Sequence, residues 1–162
     1  RYVEIGNEDW ADASGTYEGR FAQFFDAIKA KYPEMKCIST IGTEKPARKG
    51  IRNRKPDVLD EHYYSSVENY LKDAPSHFEK YDRKGPEIFV GEWEAHETGF
   101  APWDRRSQNA SPTPNMKAAL GDAAWMAAME RNSDLVGSPS SILNSHPIWF
   151  WKRKSFNPRR NP

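Results

Sequence analysis

The chain has 162 residues, a formal net charge of +1 and 37% hydrophobic residues, with six Trp, seven Tyr and eight Phe. This length fits one domain with a buried core, and a near-neutral charge gives no warrant for nucleic acid or an anionic membrane as partner. The single cysteine, Cys37, excludes an internal disulfide and any multi-cysteine metal site, and no apolar run approaches the ~20 residues of a membrane span.

The first segment, Tyr2-Val3-Glu4-Ile5, is β-prone and ends at Gly6. A domain that opens on a strand, with no leader ahead of it, predicts a piece cut from something larger. Thr16 is placed as a helix N-cap, followed by Tyr17, Phe21, Phe24, Phe25 and Ile28 at helical spacing, with Pro33 closing the segment. Lys36 to Thr40 predicts a second strand, in which Cys37 is a small core residue. A polar, basic loop runs from Gly42 to Pro56.

Val58-Leu59 leading to His62-Tyr63-Tyr64 predicts a third strand. A helix from Ser66 to about Tyr81 follows, with Val67, Tyr70, Leu71 and Phe78 inward and Pro75 kinking or splitting it. Ile88-Phe89-Val90 is the most apolar strand, expected to end at Gly91-Glu92. After a long loop, Asn115 caps a helix through Asn132 whose predicted inward face is Leu120, Ala123, Ala124, Ala127 and Ala128. Leu135-Val136 would begin a fifth strand. Strands alternate with helices at spacings too long for hairpins and are short apolar runs, which together predict βα units in a parallel sheet covered on both faces.

In parallel βα architecture, chemistry collects at the C-terminal ends of strands. Three strands here lead to reactive residues: Asn7-Glu8, His62-x-Tyr64 and Glu92. Glycoside hydrolysis needs two carboxyl groups flanking a scissile bond, roughly 5–5.5 Å apart when the mechanism is retaining. A lone Glu at a strand end is ordinarily a solvated loop residue, but Gly6 and Gly91 just before these acids allow a tight turn of the backbone. Trp10 and Trp93 suit stacking on a sugar face and core packing equally. Glu94 is placed beyond the end of its strand, and Glu4 is read as structural. His77, His96 and His146 share no metal-ligand spacing, so no metal and no cofactor is expected. Asn109-Ala110-Ser111 fits a glycosylation acceptor, but Pro112 follows it.

The segments around these residues add a resemblance. "YVEIGNEDW" resembles the acid/base segment of glycoside hydrolase family 51, the α-L-arabinofuranosidases; "PDVLDEHYY" resembles that family's sixth barrel strand and "EIFVGEWE" its seventh. "PTPNMKAALGDAAWMAAMERNSDLV" resembles the helix between strands seven and eight. The resemblance runs from Arg1 to Val136, with all four segments in order. It implies an α/β fold of the (β/α)8 TIM-barrel type, present here as a partial barrel from about strand four to strand eight. It also implies a retaining glycosidase releasing terminal α-L-arabinofuranosyl groups from arabinan- or arabinoxylan-type hemicellulose. In that reading Glu8 is the acid/base and Glu92 the nucleophile. Asn7 binds the sugar 2-hydroxyl, His62 supports the hydrogen bonding, and Tyr64 holds Glu92 in position.

The expected partner is a carbohydrate, with no nucleic acid and no membrane, and homo-oligomer formation is left open. Related endoglucanase or xylosidase chemistry, or a catalytically silent barrel fragment, are the alternatives. The family's first three strands and its β-sandwich are expected to be missing. After Val136 the pattern stops: Leu135 to Pro162 carries five basic residues and no acidic ones, whereas residues 1–134 hold 19 basic and 23 acidic. Residues 137–162 are therefore set apart as an atypical basic tail. They are not expected to complete an eighth strand, and Ile148-Trp149-Phe150-Trp151 is expected to cover the open sheet or drive self-association.

Overall fold

A computed structural model describes residues 1–41, 51–96 and 115–137. The loop expected over 97–114 and the tail beyond 137, with its aromatic cluster, lie outside the described residues. The element order is β1 (Tyr2–Ile5), α1 (Tyr17–Lys31), β2 (Lys36–Ser39), β3 (Val58–Ser66), α2 (Val67–Asp73), β4 (Glu87–His96) and α3 (Met116–Arg131). The architecture is mixed α/β. The strands form one sheet in the order β1-β2-β3-β4, with β1 parallel to β2 and β2 parallel to β3.

The chain divides into two compact units. The first holds Arg1–Glu61 and Asp82–Val90, the second His62–Tyr81 and the residues from Gly91 onward. In the first unit, α1 packs on the sheet through Tyr17 and Phe21, which join Ile5, Cys37 and Ile41 in a core flanked by Val3, Trp10, Phe25, Ile28 and Ile51. These helix residues recur at 3.6-residue spacing, so they share a face. Phe24 was expected in that stripe, but it falls off it and is 59% exposed. Cys37 is fully buried, and burial pushes its thiol pKa up. Strand β1 pairs in register with β2, Tyr2 opposite Lys36 and Ile5 opposite Ser39.

In the second unit, Ser66 caps α2 through its side chain, which accepts from the Asn69 amide. The helix stops at Asp73 just before Pro75, and a short 3-10 turn at Phe78–Lys80 follows, so the proline splits the segment. Leu71, expected inward, is 51% exposed. Helix α3 starts at an Asn115 cap whose Oδ1 accepts from the Ala118 amide at 2.9 Å. Its buried face is Ala118, Gly121, Trp125, Ala128 and Met129; of the inward face expected, Ala128 is buried, whereas Leu120 is 60% exposed and Ala123 and Ala127 are exposed.

The reason for this rotation is packing. A Cβ on Gly121 would lie 2.9 Å from the Ala95 Cβ and 3.2 Å from Val67 Cγ1, so the helix backbone approaches closely there and only glycine fits. Trp125 then enters an aromatic cluster, stacked on Tyr70 at 4.7 Å and edge-on to Tyr63 at 5.0 Å, with His77 and Phe78 at 4.7 and 5.3 Å. Large aromatics, more than small alanines, decide which face of a helix is buried. Leu135 and Val136 are buried, with Val136 in an isolated bridge, and the residues that would continue the expected fifth strand lie outside the described residues.

Two strands outlast their predicted ends. Strand β3 runs past Tyr64, its expected end, to Ser66, and β4 runs past Glu92 through Glu94 to His96. Gly91 therefore sits inside a strand and makes no turn. Glu94 lies within β4, two residues after Glu92 and on the same face. The β-prone Tyr63, Tyr64 and Trp93 favour the extended backbone here, and the Asp122 carboxylate receives the Ala95 amide at 2.8 Å near the far end of β4.

Candidate active site

The first unit carries Asn7, Glu8 and Trp10 on the segment that leaves β1. Gly6 turns the chain at φ +106°, and Glu8 itself sits in the left-handed region at φ 49°, ψ 32°. For a residue with a Cβ this conformation costs roughly 1–2 kcal/mol, so surrounding contacts must impose it. Asp9 supplies them. Its Oδ2 accepts from the Asn7 amide at 3.0 Å and from the Thr40 hydroxyl at 2.9 Å, while Oδ1 accepts from Arg20 at 3.2 Å. Downstream, the Ala11 amide donates to the Glu8 carbonyl at 2.8 Å, opening a 3-10 turn over Asp9–Ala11.

Gly6 is required by space as well as by φ. A Cβ there would lie 1.9 Å from Asp9 Oδ2. The ends of β1 and β2 are joined by Tyr17, whose hydroxyl donates to the Ile5 carbonyl at 2.6 Å and accepts from the Thr40 amide at 3.0 Å. Burial raises the Tyr17 pKa, so this hydroxyl keeps its proton and both bonds. Asn7 is exposed, whereas Trp10 is partly buried against the core of this unit.

The second unit carries His62, Tyr64, Glu92 and Trp93. Along β3, His62 and Tyr64 share one face and Tyr63 the other. Tyr63 is 5% exposed in the aromatic cluster, and its carbonyl accepts from the Tyr70 hydroxyl at 2.6 Å. Anchoring Tyr63 in this way sends its two neighbours to the opposite side. There the Tyr64 hydroxyl donates to Glu92 Oε2 at 2.8 Å, and His62 Nδ1 lies 3.5 Å from the same oxygen. The His62 side chain is 6% exposed and that of Glu92 38%, so the carboxylate is reachable from solvent while its supports are packed. Trp93, next along β4, is half-buried.

A family model described as the alpha-L-arabinofuranosidase 1 domain matches residues 1–83. The chain belongs to the α-L-arabinofuranosidase family. It is 31% identical over 172 residues to an extracellular exo-α-L-arabinofuranosidase of Streptomyces chartreusis, covering 96% of this chain and 18% of that protein. It is 35% identical over 137 residues to α-L-arabinofuranosidase 1 of Arabidopsis thaliana, covering 84% of this chain and 17% of the relative. An arabinose-bound glycoside hydrolase family 51 α-L-arabinofuranosidase is similar in structure, with a TM-score of 0.70 and 31% identity over 84% of this chain and 21% of that one. The chain thus spans about a fifth of the length of the relatives it matches.

Two supporting residues of this α-L-arabinofuranosidase-family chain escaped the sequence reading. Asp9 was passed over beside Glu8, although an Asp near a strand end commonly hydrogen-bonds local backbone. Asp122 lies beside Gly121 in a helix otherwise rich in alanine, and only its position as an acid among alanines there could have marked it. Burial raises its pKa to about 6, with the Ala95 amide pulling the other way. Burial raises the Tyr70 pKa, and the Asp122 charge adds to it.

Proposed function

We propose that the protein is a retaining glycoside hydrolase that releases terminal α-L-arabinofuranosyl groups from arabinoxylan- or arabinan-type polysaccharides. The observation that carries this reading is the Tyr64 hydroxyl donating to Glu92 Oε2 at 2.8 Å, with His62 Nδ1 3.5 Å from the same oxygen. A charge-assisted bond of this kind fixes a carboxylate in one orientation, and in-line attack on an anomeric carbon needs that. Residues 1–136 are then a partial (β/α)8 barrel beginning at about the fourth strand, with 137–162 outside it. The parallel pairing of β1, β2 and β3 and the likeness to a solved family 51 enzyme support this.

In this mechanism Glu8 protonates the departing sugar oxygen while Glu92 attacks the anomeric carbon, giving a covalent glycosyl-enzyme. Glu8 then takes a proton from water, which releases arabinose with its configuration retained. Asn7 binds the 2-hydroxyl. Trp93 is the better candidate for stacking on the sugar, because Trp10 packs against the core.

The purified chain tests this with aryl α-L-arabinofuranoside, β-glucoside and β-xyloside, against Glu92→Ala. Turnover of the arabinofuranoside alone, abolished in Glu92→Ala, is expected. In Glu8→Ala, added azide restores part of the rate. Preference for another sugar, equal turnover by Glu92→Ala, or no turnover at all refutes the reading.

A further inference from the structure

We propose that Asp9 is the positioning residue for Glu8, holding the acid/base in its left-handed backbone conformation from the side. This rests on the reading of Glu8 as acid/base. Glu8 stands at φ 49°, in a segment entered through Gly6 at φ +106°. Three anchors hold that segment. The Asn7 amide on one side of Glu8 donates to Asp9 Oδ2 at 3.0 Å. The Glu8 carbonyl on its other side accepts from Ala11 at 2.8 Å. Asp9 itself is tied to the scaffold by the hydroxyl of Thr40, which is 2% exposed and directly follows β2.

The Asp9 side chain is 11% exposed, so these bonds are little diluted by water. One oxygen, Oδ2, serves both Asn7 and Thr40, while Oδ1 faces Arg20. That division separates two roles for one carboxylate. Holding Glu8 needs an acceptor at the Oδ2 position, and the ion pair with Arg20 needs a charge. The Arg20 side chain is 51% exposed and also bonds Asp12 at 2.6 Å, so the ion pair is the weaker hold. An asparagine whose carbonyl oxygen takes the Oδ2 position keeps the first role and gives up the second.

The role predicts a signature that general loosening of the fold does not produce. Displacing an acid that must protonate a leaving oxygen slows substrates whose leaving group needs the proton and spares those whose leaving group departs unaided. The experiment compares wild type, Asp9→Ala, Asp9→Asn and Glu8→Ala on aryl α-L-arabinofuranosides of graded leaving-group acidity. In parallel, NMR follows the Glu8 amide–Hα dipolar coupling through its intraresidue NOE, which is strongest at positive φ and is read whether or not the chain turns over. The expected result is that Asp9→Ala loses roughly 10- to 100-fold in kcat/KM on the poorest leaving group and little on the best. The Glu8 coupling moves away from its left-handed value, and Asp9→Asn recovers at least part of both. A uniform loss in Asp9→Ala across leaving groups, an unmoved Glu8 coupling, or Asp9→Asn as impaired as Asp9→Ala overturns the proposal. Where Asp9→Ala does not fold, Asp9→Asn and the Glu8 coupling in Thr40→Val, which lacks the hydroxyl, decide it in the same way. If Glu8→Ala itself shows no leaving-group dependence, the acid/base reading fails instead, and the NMR result still judges whether Asp9 holds the backbone.

Discussion

Replacing Asp122 by Asn should make the protein more stable at neutral pH and remove one component of its pH dependence. The Asp122 carboxyl is pushed from 3.8 to about 6 by burial, which outweighs the Ala95 amide that donates to it. The sign follows from proton uptake. Between these two values the folded state binds the proton more readily than the unfolded chain, so stability falls as pH rises through that window. Below 3.8 both states are protonated and the group contributes nothing; above 6 the full cost of a buried charge is present. The difference corresponds to roughly 3 kcal/mol, which partial exposure reduces to about 2 kcal/mol. Tyr70 stays protonated across this range, because burial and the Asp122 charge raise its pKa. Asn keeps a carbonyl for the Ala95 amide but brings an NH2 that needs a partner, an offset of about 1 kcal/mol that does not vary with pH. Urea unfolding followed by Trp fluorescence, from pH 4 to pH 8, measures the difference between variant and wild type. That difference should rise by about 2 kcal/mol over the range. A difference independent of pH, or one that shrinks toward pH 8, refutes the reasoning.

Two further outcomes are expected. Tyr64→Phe removes only the hydroxyl that donates to Glu92 at 2.8 Å; a carboxylate left without this orienting donor should cost roughly 10- to 100-fold in kcat/KM on aryl α-L-arabinofuranosides. Gly6→Ala places a methyl group 1.9 Å from Asp9 Oδ2 at φ +106°, and chemical denaturation should show a loss of at least about 1–3 kcal/mol.

Much of the fold was legible because local signals agreed with tertiary packing. Helix α1 follows from Tyr17, Phe21, Phe25 and Ile28, and its end at Lys31 from the proline two residues on. The Asn115 and Ser66 caps make the side-chain bonds that such residues make at helix starts, and Pro75 divides the second helical segment as its missing amide requires. Three features depended on partners that no sequence window contains. The buried face of α3 is chosen by Trp125 meeting Tyr70 and Tyr63, residues some fifty to sixty positions earlier. A count of small residues therefore points to the wrong side. The ends of β3 and β4 are set by how far neighbouring backbone stays paired, and Asp122 from a later helix holds the Ala95 amide. A glycine in the middle of β4 looks locally like a stop signal and is overridden by the sheet. The residues proposed for the reaction stand out in the sequence for a different reason. They sit in short, dense motifs, whereas Asp9 is defined by what its side chain bonds.

The two carboxylates assigned to the reaction are placed by different physical means, and the difference matches their proposed roles. Glu92 sits inside a paired strand, where the backbone has no freedom to aim it, and its carboxylate is oriented from outside by the Tyr64 hydroxyl. A nucleophile that must point one lone pair along a fixed trajectory gains from a donor on its oxygen. Glu8 lies beyond the end of its strand and is aimed through its backbone, with Asn7 and Ala11 tied on either side of it. An acid/base group gives up a proton in one step and takes one in the next. Such a group must meet the leaving oxygen and then the incoming water from one position, which a fixed backbone direction provides. In that reading the strained φ at Glu8 has a use: with the ties at Asn7 and Ala11 it sets the direction in which the side chain leaves the backbone.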